Sequence, residues 1–253
     1  MIPLKSKREI EIMKRAGDIL KQVFAAVKPA VRPGISTEQL DRIAEETILK
    51  AGGRPAFKGY RGFPKTACIS VNEEVVHGIP GSRQLKDGDI VSFDIGACVD
   101  NYYADAARTW PVGDVDQETK RLMDTAKEAL RAGLAAYQAG GNNRIGDISA
   151  AVQRYVESQG YQVVRDYVGH GIGRAIHEEP QVPNYGNSGR GPKIQPGLVL
   201  AIEPMVTEGH YSVKTLEDGW TVVTRDGKRA SHHEDSIAFT EDGFINITEG
   251  EDS

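Results

Sequence analysis

Clustered helices followed by clustered strands, a plan that runs twice along 253 residues, predict an α+β fold. Three observations carry that expectation. Two capping boxes near the N-terminus each open an apolar run at helical spacing. Short strand-like runs, punctuated by turn pairs, come next. Helical spacing and then strand texture return after residue 112. Alternating βαβ units would interleave the two textures instead. No stretch of Ser/Pro/Gly composition is long enough to separate two free domains. The expected organisation is therefore one domain, 1–253, with halves of about 1–112 and 113–253 facing each other across a cleft.

The elements follow in order. Ser6 to Glu9 has capping-box spacing, and Ile10, Met13, Leu20, Val23 and Val27 recur behind it. Pro29 and Pro33-Gly34 stop that helix. Ser36 to Gln39 opens a second helix carrying Leu40, Ile43, Ala44 and Ile48, closed by Gly52-Gly53. Residues 54–65 read as a Gly/Pro/aromatic loop. Strand-like runs follow at Thr66–Val71, Val75–Ile79, Ile90–Val99 and Asn101–Trp110, the last two joined by a turn at Asp100-Asn101. Leu122 to Tyr137 and Ile145 to Val156 mark two more helices. Strands are expected at 161–169, 198–206, 220–224, 229–240 and 244–248, with Asp226-Gly227 and Asp242-Gly243 as turns. Residues 183–197 read as the longest irregular run.

Composition removes several function classes. Lys and Arg total 31 against 36 for Asp and Glu, a net charge of −5. That balance gives no electrostatic reason to expect nucleic acid or an anionic membrane as a partner. Cys68 and Cys98 form no C-x-x-C pair, so neither a disulfide scaffold nor a thiolate zinc site is expected, and a reducing compartment fits. No apolar stretch approaches ~18 residues, and no signal core opens the chain. The expected location is the cytoplasm.

Phosphate-loop and nucleophile-elbow motifs are absent. His177-Glu178-Glu179-Pro180 begins like H-E-x-x-H, but Gln181 stands at the second His and Pro180 breaks the helix that motif needs. Gly169-His170-Gly171-Ile172-Gly173 misses the dinucleotide fingerprint by one position and reads better as a strand under close approach. Its glycines also clear space around His170. Asp94 shares a strand face with Ser92 and Gly96, and Asp105 lies eleven residues on, along the returning strand. Two readings stand: solvated acids on a surface hairpin, or carboxylates with a proton or cation between them. Glu203 is the only charge in Val199–Val206, either partnered in a buried strand or exposed at its end. His232 and Glu234 would share one strand face while His233 points away. His210 and His233 read as ordinary structural histidines.

Together Asp94, Asp105, His170, Glu203 and Glu234 supply four carboxylates and one imidazole, all on expected strands. Such a set could hold two divalent ions about 3.5–4 Å apart through shared carboxylates. Oxygen-rich donors favour Mn, Fe or Co over a thiolate-type zinc site. His77 and His177 stand nearby and suit binding or protonating a reacting group.

At these residues the sequence resembles the type I methionine aminopeptidases of the pita-bread metallopeptidase fold. The matching stretches are NEEVVHGIP (72–80), KDGDIVSFD (86–94), GHGIGRAIHEEPQV (169–182), IEPMV (202–206) and DGWTV (218–222), within a likeness running from about residue 5 to 248. The resemblance implies two pseudo-symmetric halves around a dinuclear site. It implies Asp94 as a ligand of one metal, His170 and Glu203 as ligands of the other, and Asp105 and Glu234 as bridges. The ions would be Co, Mn, Fe or Zn. A metal-bridging hydroxide would attack the first peptide carbonyl, with Glu203 shuttling the proton. His77 would meet the scissile amide nitrogen, and His177 the carbonyl oxygen. Tyr60, Phe63, Cys68 and Trp220 would bind the methionine side chain, with Phe57 and Ile176 beside them.

The implied activity is removal of the initiator methionine from nascent chains when the second residue is small. Transient ribosome contact and a monomeric state go with it. Some features depart from the family: relatives often carry Cys at Phe57 and an aromatic at Ile176, and an Ala-Gln-aromatic run where Ser231-His232-His233 stands. Two rivals share the fold. An Xaa-Pro peptidase would usually carry a large extra N-terminal domain, and a non-catalytic binding protein would have lost its ligands.

Overall fold

The computed structural model describes residues 2–138 and 140–250. Met1, Ala139 and residues 251–253 of the expected domain lie outside the described residues. Helix α1 (Lys7–Val27) starts where the first capping box puts it: the Glu9 N–H donates to Ser6 Oγ, and the Ser6 N–H donates to the Glu9 carboxylate. It buries Ile10, Met13, Leu20, Val23 and Val27, the residues whose spacing predicts it. Pro29 sits in a short 3-10 turn, Lys28–Ala30, that ends the helix. Helix α2 (Thr37–Lys50) repeats the device with Ser36 and Gln39.

Both helices cover a four-stranded antiparallel sheet whose long member is a hairpin, Ile90–Val99 against Tyr102–Pro111. Asp100 and Asn101 take φ of 47° and 61° at its tip, so both are left-handed, as a two-residue turn matched to strand twist requires. Phe24 of α1 meets Phe93 and Trp110 of the hairpin edge-on, at 6.3 and 5.9 Å between ring centroids.

Helices α3 (Gln117–Ala135) and α4 (Ile145–Ser158) cover a second core. They approach closely because Gly133 has no side chain; a Cβ there would lie 2.9 Å from Val152 Cγ2. Their sheet has five strands, in the order Gly243–Asn246, Asp235–Thr240, Val199–Ile202, Gly169–Gly171, Glu178–Val182. Two three-stranded sheets complete the molecule. One joins Ala230–His232, Met205–Thr207 and Gln162–Val163. The other joins Val213–Thr215, Val222–Thr224 and Glu74–Val76.

One seam ties the hairpin to the second half. Ala107 and Glu234 exchange two backbone hydrogen bonds, at 3.2 and 3.0 Å. Arg108, 1% exposed, donates to Asp235 Oδ1 at 2.7 Å and to the carbonyls of Glu234 and Thr248.

The second half departs from the expected strands. The run 161–169 is paired at Gln162–Val163 and again at its last residue, Gly169, and is irregular between them. The run 198–206 splits at Glu203-Pro204, because Pro204 has no N–H to donate to a ladder. The run 229–240 splits at His233-Glu234, where the backbone turns to pair with Ala107. In the first half, Val75–Ile79 is paired only to Val76, since His77 takes φ of 60°. Strands Arg54–Pro55, Glu178–Val182 and Val213–Thr215 form where none is expected.

Candidate metal centre

Asp94 and Asp105 reach one face of the hairpin through its register. Asp94 lies opposite Ala107 and Gly96 opposite Asp105, so the acids are diagonal neighbours. The reading of solvated surface acids therefore fails: Asp105 is 3% exposed. His170 occupies the middle of its three-residue strand, at a bulge. The flanking glycines serve the neighbouring strands rather than the ring. A Cβ on Gly169 would lie 2.4 Å from the Ala201 carbonyl oxygen, and one on Gly171 2.3 Å from that of Glu179. His170 Nδ1 lies 2.9 Å from the Gly171 carbonyl oxygen, which can only accept. Nδ1 therefore carries the hydrogen of the neutral ring, and Nε2 presents a lone pair.

Glu203 and Glu234 correct the expectation that every donor sits on a strand. Glu203 lies in the gap before Pro204, its carbonyl held by Asn184 Nδ2 at 3.0 Å. Glu234 lies in the gap between Ala230–His232 and Asp235–Thr240, held by Ala107. The broken ladder still points Glu234 and His232 the same way, with His232 Nε2 3.9 Å from Glu234 Oε2.

Donor atoms of Asp105, His170 and Glu234 lie within 4.8 Å of one another. His170 Nε2 stands 3.7 Å from Glu203 Oε1 and 3.9 Å from Asp105 Oδ2. These separations are too long for hydrogen bonds and suit atoms that share a small ion. Asp94 Oδ1 and Asp105 Oδ1 are buried without a hydrogen-bond partner among the described residues. Burial raises all four carboxyls. That of Asp105 moves to about 7, and for Asp94, Glu203 and Glu234 the neighbouring Asp105 charge raises them further. Crowded acids with orphaned oxygens and a bare imidazole nitrogen fit a divalent cation centre.

The five donors line one pocket of about 270 Å³, together with His77, His177, Tyr60, Phe63, Cys68 and Trp220. The five donors, His77, His177 and the four residues expected to bind the methionine side chain thus face one cavity. Tyr60 Oη lies 2.9 Å from His177 Nδ1. Phe63 meets Trp220 edge-on at 5.1 Å. Phe57 also lines the wall. Ile176 packs in the same apolar cluster, beside Gly96, where a Cβ would sit 2.9 Å from Phe57 Cε1 and 3.2 Å from Ile176 Cδ1. Desolvation lowers His77, and lowers His177 to about 3, so both rings are neutral at pH 7. Burial, then the Asp94 charge, raises the Cys68 thiol well above its ordinary value, which leaves it a neutral, soft surface.

Arg61 and Tyr167 also line the pocket, and sequence reasoning missed both. Arg61 sits in a one-turn helix with φ of 48°, and Tyr167 in an unpaired stretch, so neither carries a periodic signal.

The sequence model of metallopeptidase family M24 matches residues 11–241. The methionine aminopeptidase of Clostridium perfringens is 54% identical over 244 residues, covering 96% of this chain and 97% of that one. Methionine aminopeptidase 1 of Bacillus subtilis is 52% identical, covering 98% and 99%. The crystal structure of methionine aminopeptidase from Thermotoga maritima matches with a TM-score of 0.96 at 44% identity, covering 98% of this chain and all of that one. A prolidase from Pyrococcus furiosus matches at 0.77 and 23% identity, which shows a shared fold alone.

Proposed function

Since the chain belongs to metallopeptidase family M24, we propose that it is a methionine aminopeptidase, removing the N-terminal methionine of polypeptides whose second residue is small. The observation that carries this reading is the meeting of two surfaces in one pocket: a floor of five ion donors and a wall of aromatic rings and sulfur.

Asp94, Asp105, His170, Glu203 and Glu234 would hold two divalent ions, with Asp105 and Glu234 shared between them; Co, Mn, Fe and Zn all suit the donors. Bound ions supply Lewis acidity, polarising the scissile carbonyl and acidifying the attacking water. The chain's own residues do the rest. Glu203 takes the proton released by that water and returns it to the leaving amine. His177 faces the carbonyl oxygen as a neutral ring, its Nδ1 engaged by Tyr60. His77 meets the scissile nitrogen, edge-on to Trp220 at 6.3 Å. Phe63, Trp220, Cys68 and Tyr60 enclose the methionine side chain and exclude water, with Phe57 beside them.

Nascent chains are the substrate in this reading, which brings with it transient ribosome contact, a cytoplasmic setting and a monomer forming one catalytic domain. Among the described residues, no helix is long and apolar enough to cross a membrane.

The test is hydrolysis of Met-Ala- and Ala-Pro-leading peptides by metal-loaded protein, before and after chelation. Cleavage of the first alone, lost with the metal, supports the reading. Cleavage of the second alone makes the chain an Xaa-Pro peptidase, and cleavage of neither supports a binding protein.

A further inference from the structure

A second imidazole stands at this centre without a role. His232 is 1% exposed, and its buried Nε2 has no hydrogen-bond partner among the described residues. That nitrogen lies 3.5 Å from Glu203 Oε2 and 3.9 Å from Glu234 Oε2. The Glu203 carboxylate is thus flanked on both sides. Oε1 faces His170, which lines the pocket, and Oε2 faces His232, which lies behind the floor. The two rings differ in what they can offer. His170 presents a lone pair, because its Nδ1 hydrogen is committed to the Gly171 carbonyl. The Nε2 of His232 faces two carboxylate oxygens, so a hydrogen there meets two acceptors.

The backbone of His232 is held from the other half. Its N–H donates to Thr109 Oγ1 at 3.1 Å, and Thr109 Oγ1 lies 2.8 Å from the His232 carbonyl oxygen. Thr109 sits two residues beyond Ala107, whose backbone holds Glu234. One short stretch of the hairpin therefore places both the carboxylate and the ring behind it. A buried donor left unpaired is costly, and a carboxylate that holds an ion needs its free oxygen fixed.

We infer that His232 is a positioning residue of the metal centre: its Nε2–H secures Glu203 Oε2 and so keeps Oε1 turned toward His170. This rests on the reading of Glu203 as ion ligand and proton carrier. Replacing the ring by an apolar side chain of similar bulk removes the donor, whereas glutamine keeps a neutral N–H.

The experiment compares the full chain with His232→Leu and His232→Gln. Manganese affinity is measured by calorimetry, and the visible absorption of the cobalt-loaded forms is recorded. The loss expected in His232→Leu is about 10–100-fold in manganese affinity, with a shifted cobalt spectrum, as for other outer partners of metal ligands. His232→Gln should stay within about threefold of the parent. Melting of the metal-free forms separates this from a folding defect: His232→Leu should melt no lower than the parent while binding manganese more weakly. Should the Leu variant fail to fold, nitrogen-labelled histidine in zinc-loaded parent protein decides. A protonated Nε2 of His232, slow to exchange and assigned by its disappearance in His232→Gln, supports the role. An unprotonated Nε2 overturns it, as does unchanged manganese affinity in His232→Leu or an equal loss in both variants. Failure of the parent to cleave Met-Ala peptides would remove the proposed activity and leave this comparison of binding readable.

Discussion

The two halves deliver their donors to the pocket by different means. In the first half, Asp94 and Asp105 come from one uninterrupted hairpin of two ten-residue strands. Register and pleat alone bring them together. In the second half, His170, Glu203 and Glu234 come from three separate places, each where regular pairing fails: a bulge, the residue before a proline, and a gap between strands. Regular β geometry can aim two carboxylates from one strand pair. Bringing three more side chains to the same point requires backbone released from its ladder and held by contacts from elsewhere. For Glu234 the Ala107 bridge and the Arg108–Asp235 ion pair supply that hold, both from the hairpin, and for Glu203 Asn184 supplies it.

The largest expected effect strikes what the halves share. Asp105→Asn or Glu234→Gln should lower kcat/KM on a Met-Ala peptide by more than the ~10–100-fold typical of residues that only support ligands. Equal small losses would mean that the halves do not share an ion. The same Asp105→Asn change should act oppositely on the metal-free fold, with a defined pH dependence. The Asp105 carboxyl is raised from 3.8 to about 7 by burial, so between those values the folded state binds more protons than the unfolded one. Stability therefore falls as pH rises through that window. Metal-free Asp105→Asn should melt like the parent below pH 3.8 and increasingly above it as pH approaches 7. A constant difference across the range would remove the crowding of charge from the account.

Next comes the seam. Asp235→Ala leaves the Arg108 guanidinium buried beside an empty place and should cost about 3–5 kcal/mol in denaturant unfolding. Activity should fall further than stability explains, because Arg108 also holds the Glu234 carbonyl at 2.6 Å. A variant that unfolds more easily yet keeps full kcat would show that Glu234 is positioned without the first half.

Smaller effects belong to single contacts. Tyr60→Phe removes the hydroxyl at His177 Nδ1 and should lower kcat by roughly 2–10-fold, the kinetic equivalent of one ordinary hydrogen bond. Asn101→Val, at φ of 61° in the hairpin tip, should cost about 1–2 kcal/mol in thermal unfolding with the site unaffected.

The same contrast explains what could be read from the sequence. Helices α1 and α2 are legible because Ser6/Glu9 and Ser36/Gln39 announce them locally. Ile90–Val99 forms with the expected limits, since Asp100-Asn101 supplies the left-handed pair its turn needs. The five donors were legible as charges in apolar runs and through family resemblance. Their local geometry was not. Glu203 and Glu234 read as strand residues; Pro204 within IEPMV does mark the end of one ladder, whereas nothing in SHHED reveals a partner over a hundred residues away. The glycines around His170 read as room for its ring, whereas backbone from Ala201 and Glu179 fills that space. Arg61 and Tyr167 lay outside any periodic element, so only the folded chain reveals them at the pocket wall.

The direct test of the central claim is an anomalous-difference map from crystals of manganese-loaded protein, recorded at the metal's absorption edge. Two peaks about 3.5–4 Å apart, within bonding distance of Asp94, Asp105, His170, Glu203 and Glu234, are the expected result. Peaks elsewhere, or none in a protein that cleaves Met-Ala peptides, would contradict it.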